Sequence, residues 1–559
     1  MQTESAHGPE RPVHPKGTQA KVLLTSVFGP YAQDDEYGSR SINPMELYHN
    51  QVTRVQGPFS LRMFHRSSGL MLIQRNIDAP STLLDFPTQE RFVRELQLGD
   101  YDIVGISSIV ANIGKVAKMC ELIRKHSPNS TIVIGGHIAS LPDLADRIDA
   151  DHIVRGEGVC WFRHYLGQDE DAKIIHPDIL SGFGMRLFGI SFPTVPKDTA
   201  ATLIPAVGCP MGCNFCATSA LFGGKGHSIE FFSTGKEIFD LMCGCEERIG
   251  TQSFFIMDEN FLLYRDRALE LLDLMKRYDK SWSLYVFSSA NALRKYTWEQ
   301  LMGLGISWLW MGLEGEDSQY AKLNNFNSLE YIPELQEHGI KVLGSSIIGL
   351  ENHTMDNIDK VIERAVKHNT DFHQFMLYTP LPGTPLYKEQ SEKGTMLENC
   401  DLADIHGQYR FNFHHPHITP EQSGEILLRA FQADFDVNGP SVFRVINTMF
   451  KGWKNFHNCA DARVRRRLER ETSTIRKYGA GVMWAMEKYI SDSNRAVVAK
   501  MRDLRNKLKE NQNMLERAAS LVIGPALLAS IRREADRLKD GFRYEPPTIV
   551  DRMNWVQSN

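Results

Sequence analysis

Three cysteines, read in place as Gly208-Cys209-Pro210-Met211-Gly212-Cys213-Asn214-Phe215-Cys216, carry the strongest chemical signal in the sequence. Spaced C-x₃-C-x₂-C, their thiolates can ligate three irons of a four-iron cluster. Iron–sulfur clusters are ordinarily held by four cysteines, so such a site leaves one iron open to a substrate or cosubstrate. A structural zinc site instead wants four ligands in two close pairs, and no second pair stands where it could complete one. Cys243 and Cys245 flank Gly244 on a predicted helix over 236–248. Residues two apart on a helix do not share a face, which argues against a second cluster. Cys120, Cys160, Cys400 and Cys459 are scattered and read as ordinary thiols.

Other chemistry-bearing groups fall at predicted strand ends. Asp258-Glu259 closes one strand, where the plain reading of either carboxylate is a helix cap. Gly223-Gly224-Lys225-Gly226 is not a phosphate loop, because its spacing to Ser228 is wrong for a Walker A motif. His414, His415 and His417 surround Pro416 without a placed carboxylate, so they read as a loop rather than a metal site.

The elements that must position these groups come in two blocks. Apolar runs at 21–26, 102–108, 131–136 and 152–158 read as strands, with helices predicted over 115–126 and 141–148. Continuous apolar strands alternating with helices imply a parallel, doubly wound sheet. Such sheets bind ligands beyond the carboxyl ends of their strands, where Gly105-Ile106-Ser107-Ser108 and Gly135-Gly136-His137 fall. After a Gly- and Pro-containing connector (168–200), strands are predicted at 202–208, 253–258, 283–290, 307–313, 341–349 and 373–379. Six strand–helix units suit a partial barrel, with the cysteine loop at its mouth where catalytic parts gather. Beyond Pro385 the pattern turns helical. We expect a disordered leader over 1–18, a Rossmann-like domain over 19–167, a linker over 168–200 and a barrel over 201–390. A helical extension (391–459) and a basic helical region (460–559) follow.

Composition narrows the class. The chain has 559 residues, 42% hydrophobic and 23% charged, ordinary for a globular protein. No run of ~20 apolar residues is present, so no membrane span is expected. An odd cysteine number without a secretion signal argues for a reducing compartment, hence a cytoplasmic location. The net charge of −5 divides unevenly: residues 460–559 hold 21 Lys and Arg against 13 Asp and Glu, or +8, leaving −13 elsewhere. The charge-free run Ala518–Ile531, interrupted by Gly524-Pro525, reads as a buried helix pair. Its basic flanks also suit peripheral contact with a membrane surface.

Taken together and in order, these motifs resemble the cobalamin-binding branch of the radical S-adenosylmethionine (SAM) enzymes. Phe215 stands at that family's aromatic position before the third cysteine, whose surroundings contact adenine. Asp258-Glu259-Asn260-Phe261 is similar to the acidic stretch of that branch; other branches carry there a Gly-Gly-Glu motif that accepts from the SAM amino group, and the double glycine is missing here, which leaves Asp258 and Glu259 as the alternatives for that role. Met311-Gly312-Leu313-Glu314-Gly315 resembles a turn that would aim Glu314 at the ribose or methionine end of SAM. Gly344-Ser345-Ser346-Ile347-Ile348-Gly349 resembles the fifth-strand motif near adenine. Tyr378-Thr379-Pro380-Leu381-Pro382-Gly383-Thr384-Pro385-Leu386-Tyr387 resembles the sixth-strand ending of the cobalamin branch. Gly105, Ser107, Ser108, Gly135, Gly136, His137 and Arg155-Gly156-Glu157-Gly158 resemble the cobalamin-binding domain placed before the barrel. The loop after the first strand, 27–34, has no histidine to serve as a lower axial ligand, as in that branch.

The resemblance implies an α/β fold with a cobalamin domain, a partial (β/α)₆ barrel and a helical C-terminal region. It implies three cofactors: a [4Fe–4S] cluster on Cys209, Cys213 and Cys216, SAM on the open iron, and cobalamin. Reductive cleavage of SAM gives a 5′-deoxyadenosyl radical in that family. The implied activity is methylation of an unactivated carbon on a hydrophobic, lipid or tetrapyrrole-like substrate. Radical oxidative cyclisation is the enzymatic alternative. A cobalamin-binding sensor is the non-enzymatic one, against which the intact cysteine triad argues. The expected partners are a small-molecule or lipid substrate and a low-potential donor such as a flavodoxin or ferredoxin, without nucleic acid.

Overall fold

The computed structural model describes residues 12–31, 37, 46–313, 327–491 and 494–555. The first sheet is built from short strands: β1 (Val22–Thr25), β3 (Ser81–Asp85) and β4 (Ile103–Ser107), buried almost throughout, β5 (Thr131–Gly135), buried along its centre, and half-buried β6 (His152–Ile153), with β2 (Arg62–Phe64) lying outside it. β1 lies between β3 and β4, and all these pairings are parallel. Their register sets Gly105 between Leu24 and Val133, and Ser107 opposite Gly135. The Ser68–Arg75 and Gly158–Tyr165 helices cover one face, over a core that includes Leu24, Ile103, Val133 and Phe162. Strand β3 has only Leu83 and Leu84 between polar residues, so its periodicity is too weak to read.

Residues 12–18 depart from the expected disordered leader. His14 is buried, and its backbone N–H donates to Tyr165 O at 2.7 Å. The expected linker is also structured. Within it β7 (Ile179–Leu180) pairs antiparallel with a barrel strand, and β8 (Phe183–Leu187) pairs with β2 and with β9 (Ile190–Ser191).

The second sheet is the partial barrel. Its six parallel strands are β10 (Ala201–Leu203), β13 (Ser253–Ile256), β14 (Ser283–Phe287), β15 (Ile306–Gly312), β16 (Lys341–Ile348) and β17 (Phe372–Leu377), with β7 on the edge. The first predicted strand breaks at Pro205, which cannot donate to a ladder. Its second part, β11 (Ala206–Val207), pairs instead with β12 (Ile229–Glu230). Burial alternates along the strands: Tyr285, Phe287, Trp308, Trp310 and Ser345 keep partial exposure while their neighbours are buried. The alternation separates a helix-covered outer face from a lumen. Chain from the first domain packs on β17, where Tyr48 meets Phe372 and Gln374 Nε2 donates to Gln51 Oε1 at 3.0 Å.

Helices follow from Pro385, as expected, but with two differences. The run 518–531 is not a buried pair. It lies in one continuous helix, Met514–Lys539, with Pro525 inside. Gly481 holds this helix close, since a Cβ there would come 2.8 Å from Ser520 O. Much of its apolar surface is bare, with Met514 87%, Leu515 81%, Leu521 72% and Val522 72% exposed. Second, the region expected to be wholly helical ends in β18 (Ile549–Met553), antiparallel to β3 of the first sheet. Several of the excess basic residues act internally. Arg463, Arg467 and Arg470 of the Ala462–Ile490 helix donate to Gly303 O, Ile306 O and Ser281 O at the barrel's lower rim.

Candidate active site

The cysteine loop is shaped by glycines where only glycine is comfortable. Gly208 and Gly212 have φ of +84° and +61°, and a Cβ on Gly212 would come 2.4 Å from the Lys225 side chain. Gly226 N donates to Pro210 O at 2.9 Å, so the Gly223–Gly226 segment braces the cysteine loop. Ser219 Oγ donates to Cys209 O at 2.8 Å, and Cys216 Sγ caps the short Ala217–Leu221 helix. None of the three cysteines is in a disulfide, and all three are half-buried around one 150 Å³ cavity. Among the described residues, no three His, Cys, Asp or Glu side chains stand close enough to hold a single ion.

The two adjacent carboxylates part company. Asp258 is 2% exposed and turned into the barrel wall, where Arg267 holds it and Asn260 N donates to it at 3.0 Å. It lines neither cavity near the cysteines, contrary to one of the two expectations for it. Glu259 lines the cysteine cavity. Its Oε2 is buried without a hydrogen-bond partner among the described residues. Burial, reinforced by the charge of Asp258, pushes its carboxyl up to about 7 against backbone N–H bonds from its own residue and Gly208.

A second cavity, of 340 Å³, lies between the two sheets. Gly105, Ser107, Gly135, Gly136, Gly156 and Gly158 line it from the first sheet and its helices. Ile204, Val207, Thr218, Phe222, Met257 and Glu259 face them from the barrel. Two glycines are forced by close packing: a Cβ on Gly136 (φ +83°) would lie 2.6 Å from Ser108 O, and one on Gly158 2.9 Å from Ile73. Two others open onto the cavity. A Cβ on Gly156 would meet nothing within 4 Å, and one on Gly135 only Val154 O at 4.0 Å. Bare backbone facing space fits a large flat cofactor and its tail, which side chains there would exclude.

Sequence comparison identifies two domains. Residues 63–165 match the B12 binding domain model and residues 203–365 match the Radical SAM superfamily model. The chain thus carries a B12-binding domain followed by a Radical SAM domain. Among the relatives of this radical SAM protein is bacteriochlorophyllide d C-8(2)-methyltransferase of Chlorobaculum tepidum, 26% identical over 53% of this chain and 70% of the relative. Another is hopanoid C-2 methylase of Rhodopseudomonas palustris, 24% identical over 53% of this chain and 59% of the relative. The solved structure of the radical SAM methyltransferase TsrM from Kitasatospora setae, with cobalamin and a [4Fe–4S] cluster bound, aligns with 82% of this chain and 99% of its own. That alignment has a TM-score of 0.49 and 13% identity.

The structure of this radical SAM protein gathers most of the expected residues and sets others apart. His137 lines the 340 Å³ cavity, is half-buried with its pKa lowered by desolvation, and reaches Thr218 Oγ1. Glu157 lines it too, although its carboxylate caps a helix by accepting from Val159 N and Cys160 N at 2.6 and 2.8 Å. Ser108 sits beneath the surface, its N–H donating to Gly135 O. Phe215 and Gly349 line neither cavity. Phe215 packs edge-on to Tyr378 at 6.3 Å, and Gly349 is required because a Cβ there would fall 2.1 Å from the Phe411 ring. Glu314 lies outside the described residues. Of the histidine cluster, His415 is buried and hydrogen-bonded to Leu350 O, a loop-bracing role. Sequence reasoning missed Phe287, Ser288 and Ser289 on the cysteine cavity, which Asn260 and Trp310 also line. Ser288-Ser289 had a readable signal, since it follows an apolar strand at the barrel's active end.

Proposed function

We propose that this protein is a cobalamin-dependent radical SAM C-methyltransferase acting on an unactivated carbon of a hydrophobic substrate. The observation that carries the reading is Glu259, which lines both the cysteine cavity and the glycine-lined cavity and so makes them neighbours. When bound, a reduced cluster with SAM supplies hydrogen abstraction and cobalamin supplies the methyl group. The chain's own residues bind, orient and exclude water. Cys209, Cys213 and Cys216 hold the cluster, and the Gly105, Gly135 and Gly156 backbone receives the corrin. Glu259 Oε2 accepts a hydrogen bond from the SAM amino group, while Asn260 is fixed for its part by Ser288 and Ser289. The names of the bacteriochlorophyllide and hopanoid methylases support a hydrophobic acceptor.

Two partners complete the proposal. A low-potential donor such as a flavodoxin or ferredoxin reduces the cluster. The Met514–Lys539 helix lies on a membrane surface, with its exposed Leu521 and Val522 toward the acyl region and Arg517, Arg532 and Arg533 toward anionic headgroups.

The test is anaerobic turnover of the reconstituted protein with cobalamin, SAM, a low-potential reductant and candidate lipid and pigment extracts. Substrate-dependent 5′-deoxyadenosine together with S-adenosylhomocysteine is expected. Deoxyadenosine without S-adenosylhomocysteine would replace methylation by oxidative cyclisation, and neither product from a protein carrying its cluster would overturn the enzymatic reading.

A further inference from the structure

The turn Leu381-Pro382-Gly383-Thr384 follows β17 and lines neither cavity of the site. Pro382 at its second position and Gly383 at its third, with φ +86°, are the pair a type II turn asks for. Thr384 closes it, its N–H and Oγ1–H donating to Leu381 O at 3.1 and 2.6 Å. Thr384 Oγ1 also caps the Pro385–Glu392 helix by accepting from Tyr387 N at 3.2 Å, with Pro385 at the first helical position. Turn and helix start form one stiff corner.

This corner touches both halves of the site. Its tip meets the first domain: a Cβ on Gly383 would lie 2.6 Å from Ser140 Cβ and 3.2 Å from Ser140 O. Ser140 ends the 3₁₀ turn His137–Ser140 after β5, and Gly136 and His137 at the start of that turn line the 340 Å³ cavity. The other side of the corner meets the cysteine loop. The Leu386 N–H, one of the helix-start donors without an intrahelical acceptor, donates to Asn214 O at 3.0 Å, between Cys213 and Cys216. Asn214 Nδ2 donates to Tyr378 Oη at 3.4 Å. Tyr378 and Leu386 are both fully buried, so this end of the corner is anchored in the core.

We infer that the corner is a spacer: through Gly383 and Leu386 it holds the segment bordering the corrin cavity and the loop of cluster ligands at one separation. It is a second strut beside the contact of His137 with Thr218. Gly383 and Ser140 are positioning residues, since neither lines a cavity of the site. The inference rests on the two-cofactor placement of the methyltransferase reading and is independent of the methyl acceptor. A misplacement of ~1 Å can cost about a hundredfold in rate, which suits a turn locked by a proline, a glycine and a capping threonine to this position.

The experiment loads the full chain with its [4Fe–4S] cluster and cob(II)alamin, reduces the cluster with dithionite, and reads the magnetic coupling between the two unpaired spins by electron paramagnetic resonance. Dipolar coupling weakens with the cube of distance, and its measurement needs neither substrate nor turnover. Overpacking a close contact moves backbone, so Ser140→Leu, a wedge at the tip of the turn, should lower the coupling by about a quarter. Ser140→Ala should match wild type. Iron and cobalamin contents and the melting temperature should stay close to wild type in each, because the wedge lies outside both cavities. Gly383→Ala, whose Cβ meets Ser140, repeats the test should Ser140→Leu fail to load. No coupling in wild type, an unchanged coupling in both wedge variants, or loss of either cofactor from both would overturn the inference. Turnover is scored separately: a chain whose coupling answers to Ser140 but that forms no S-adenosylhomocysteine would sink the methyltransferase reading and leave the spacer standing.

Discussion

His137 Nε2 lies 3.4 Å from Thr218 Oγ1, a contact that joins the end of β5 to the helix begun by Cys216. Both residues line the 340 Å³ cavity, so this contact sets the spacing between the corrin side and the cluster side. His137→Ala and Thr218→Val should each weaken cobalamin binding by about three- to tenfold with iron content unchanged. The double variant should be no worse than the poorer single one, because residues in one contact are not additive. Additive losses in a cobalamin titration would show that the two act separately.

Asp258 and Glu259 should separate in their effects. Asp258→Ala strands Arg267, itself 5% exposed, in the barrel wall. Removing one partner of a buried pair costs about 3–5 kcal/mol, read as a lower denaturant midpoint. Glu259→Gln should leave the midpoint nearly unchanged and weaken SAM binding instead. With its carboxyl at about 7, only the ionised form, above that pH, attracts an ammonium. SAM affinity in wild type should therefore rise about tenfold from pH 6 to 8, and the Gln variant should be flat. A wild-type profile without that rise would remove Glu259 from the SAM site.

Gly135→Leu tests the corrin cradle without backbone strain, since Gly135 is not among the positive-φ residues and its Cβ direction is open. The added side chain should fill the cavity and abolish cobalamin retention, with Gly135→Ala intermediate. Full cobalamin loading of the Leu variant would mean the cofactor lies elsewhere.

Four buried histidines make the fold acid-sensitive. Burial lowers His176 and His353 to about 4, and His373 and His406 to about 3. Unfolded histidine takes its proton near 6.5, so below that pH the unfolded chain binds more protons and the native state loses ground. Each histidine costs up to about 2 kcal/mol by pH 5. The melting temperature should hold above pH 7 and fall steadily from 6.5 to 5. A melting temperature unchanged over that interval would contradict the burial of these rings.

The Met514–Lys539 helix gives a surface prediction. Leu521→Glu with Val522→Glu changes two side chains that are each 72% exposed, so thermal stability should stay within about 0.5 kcal/mol of wild type. Sedimentation with anionic vesicles should be lost. Equal co-sedimentation of the variant and wild type would rule out this face as the membrane contact.

Much of this architecture was legible because its signals are local. The six barrel strands read from apolar runs, most of them closed by Gly, Ser or Asp, and the cysteine spacing is contiguous. What escaped depends on distant partners. Asp258 and Glu259 are neighbours of the same chemistry, and Arg267, nine residues on, decides which of them faces the cavity. The Gly524-Pro525 pair suggested a break, but close packing against Gly481 carries the helix through it. Ser81–Asp85 and Ile549–Met553 are too short and mixed to show a strand period; the first is a strand by pairing with β1 and with the second, and the second by pairing with the first.

That pairing has a consequence for how the protein is made. Thr548 Oγ1 reaches Phe86 O across 462 residues of sequence, so the edge of β3 stays open during nearly all of synthesis at the ribosome. An open edge of buried character is a template for wrong strand partners, and contacts of such separation form slowly. A fragment ending after the barrel would keep that edge bare throughout its life, so the cofactor domains are best produced and handled together with the helical region that returns to close them.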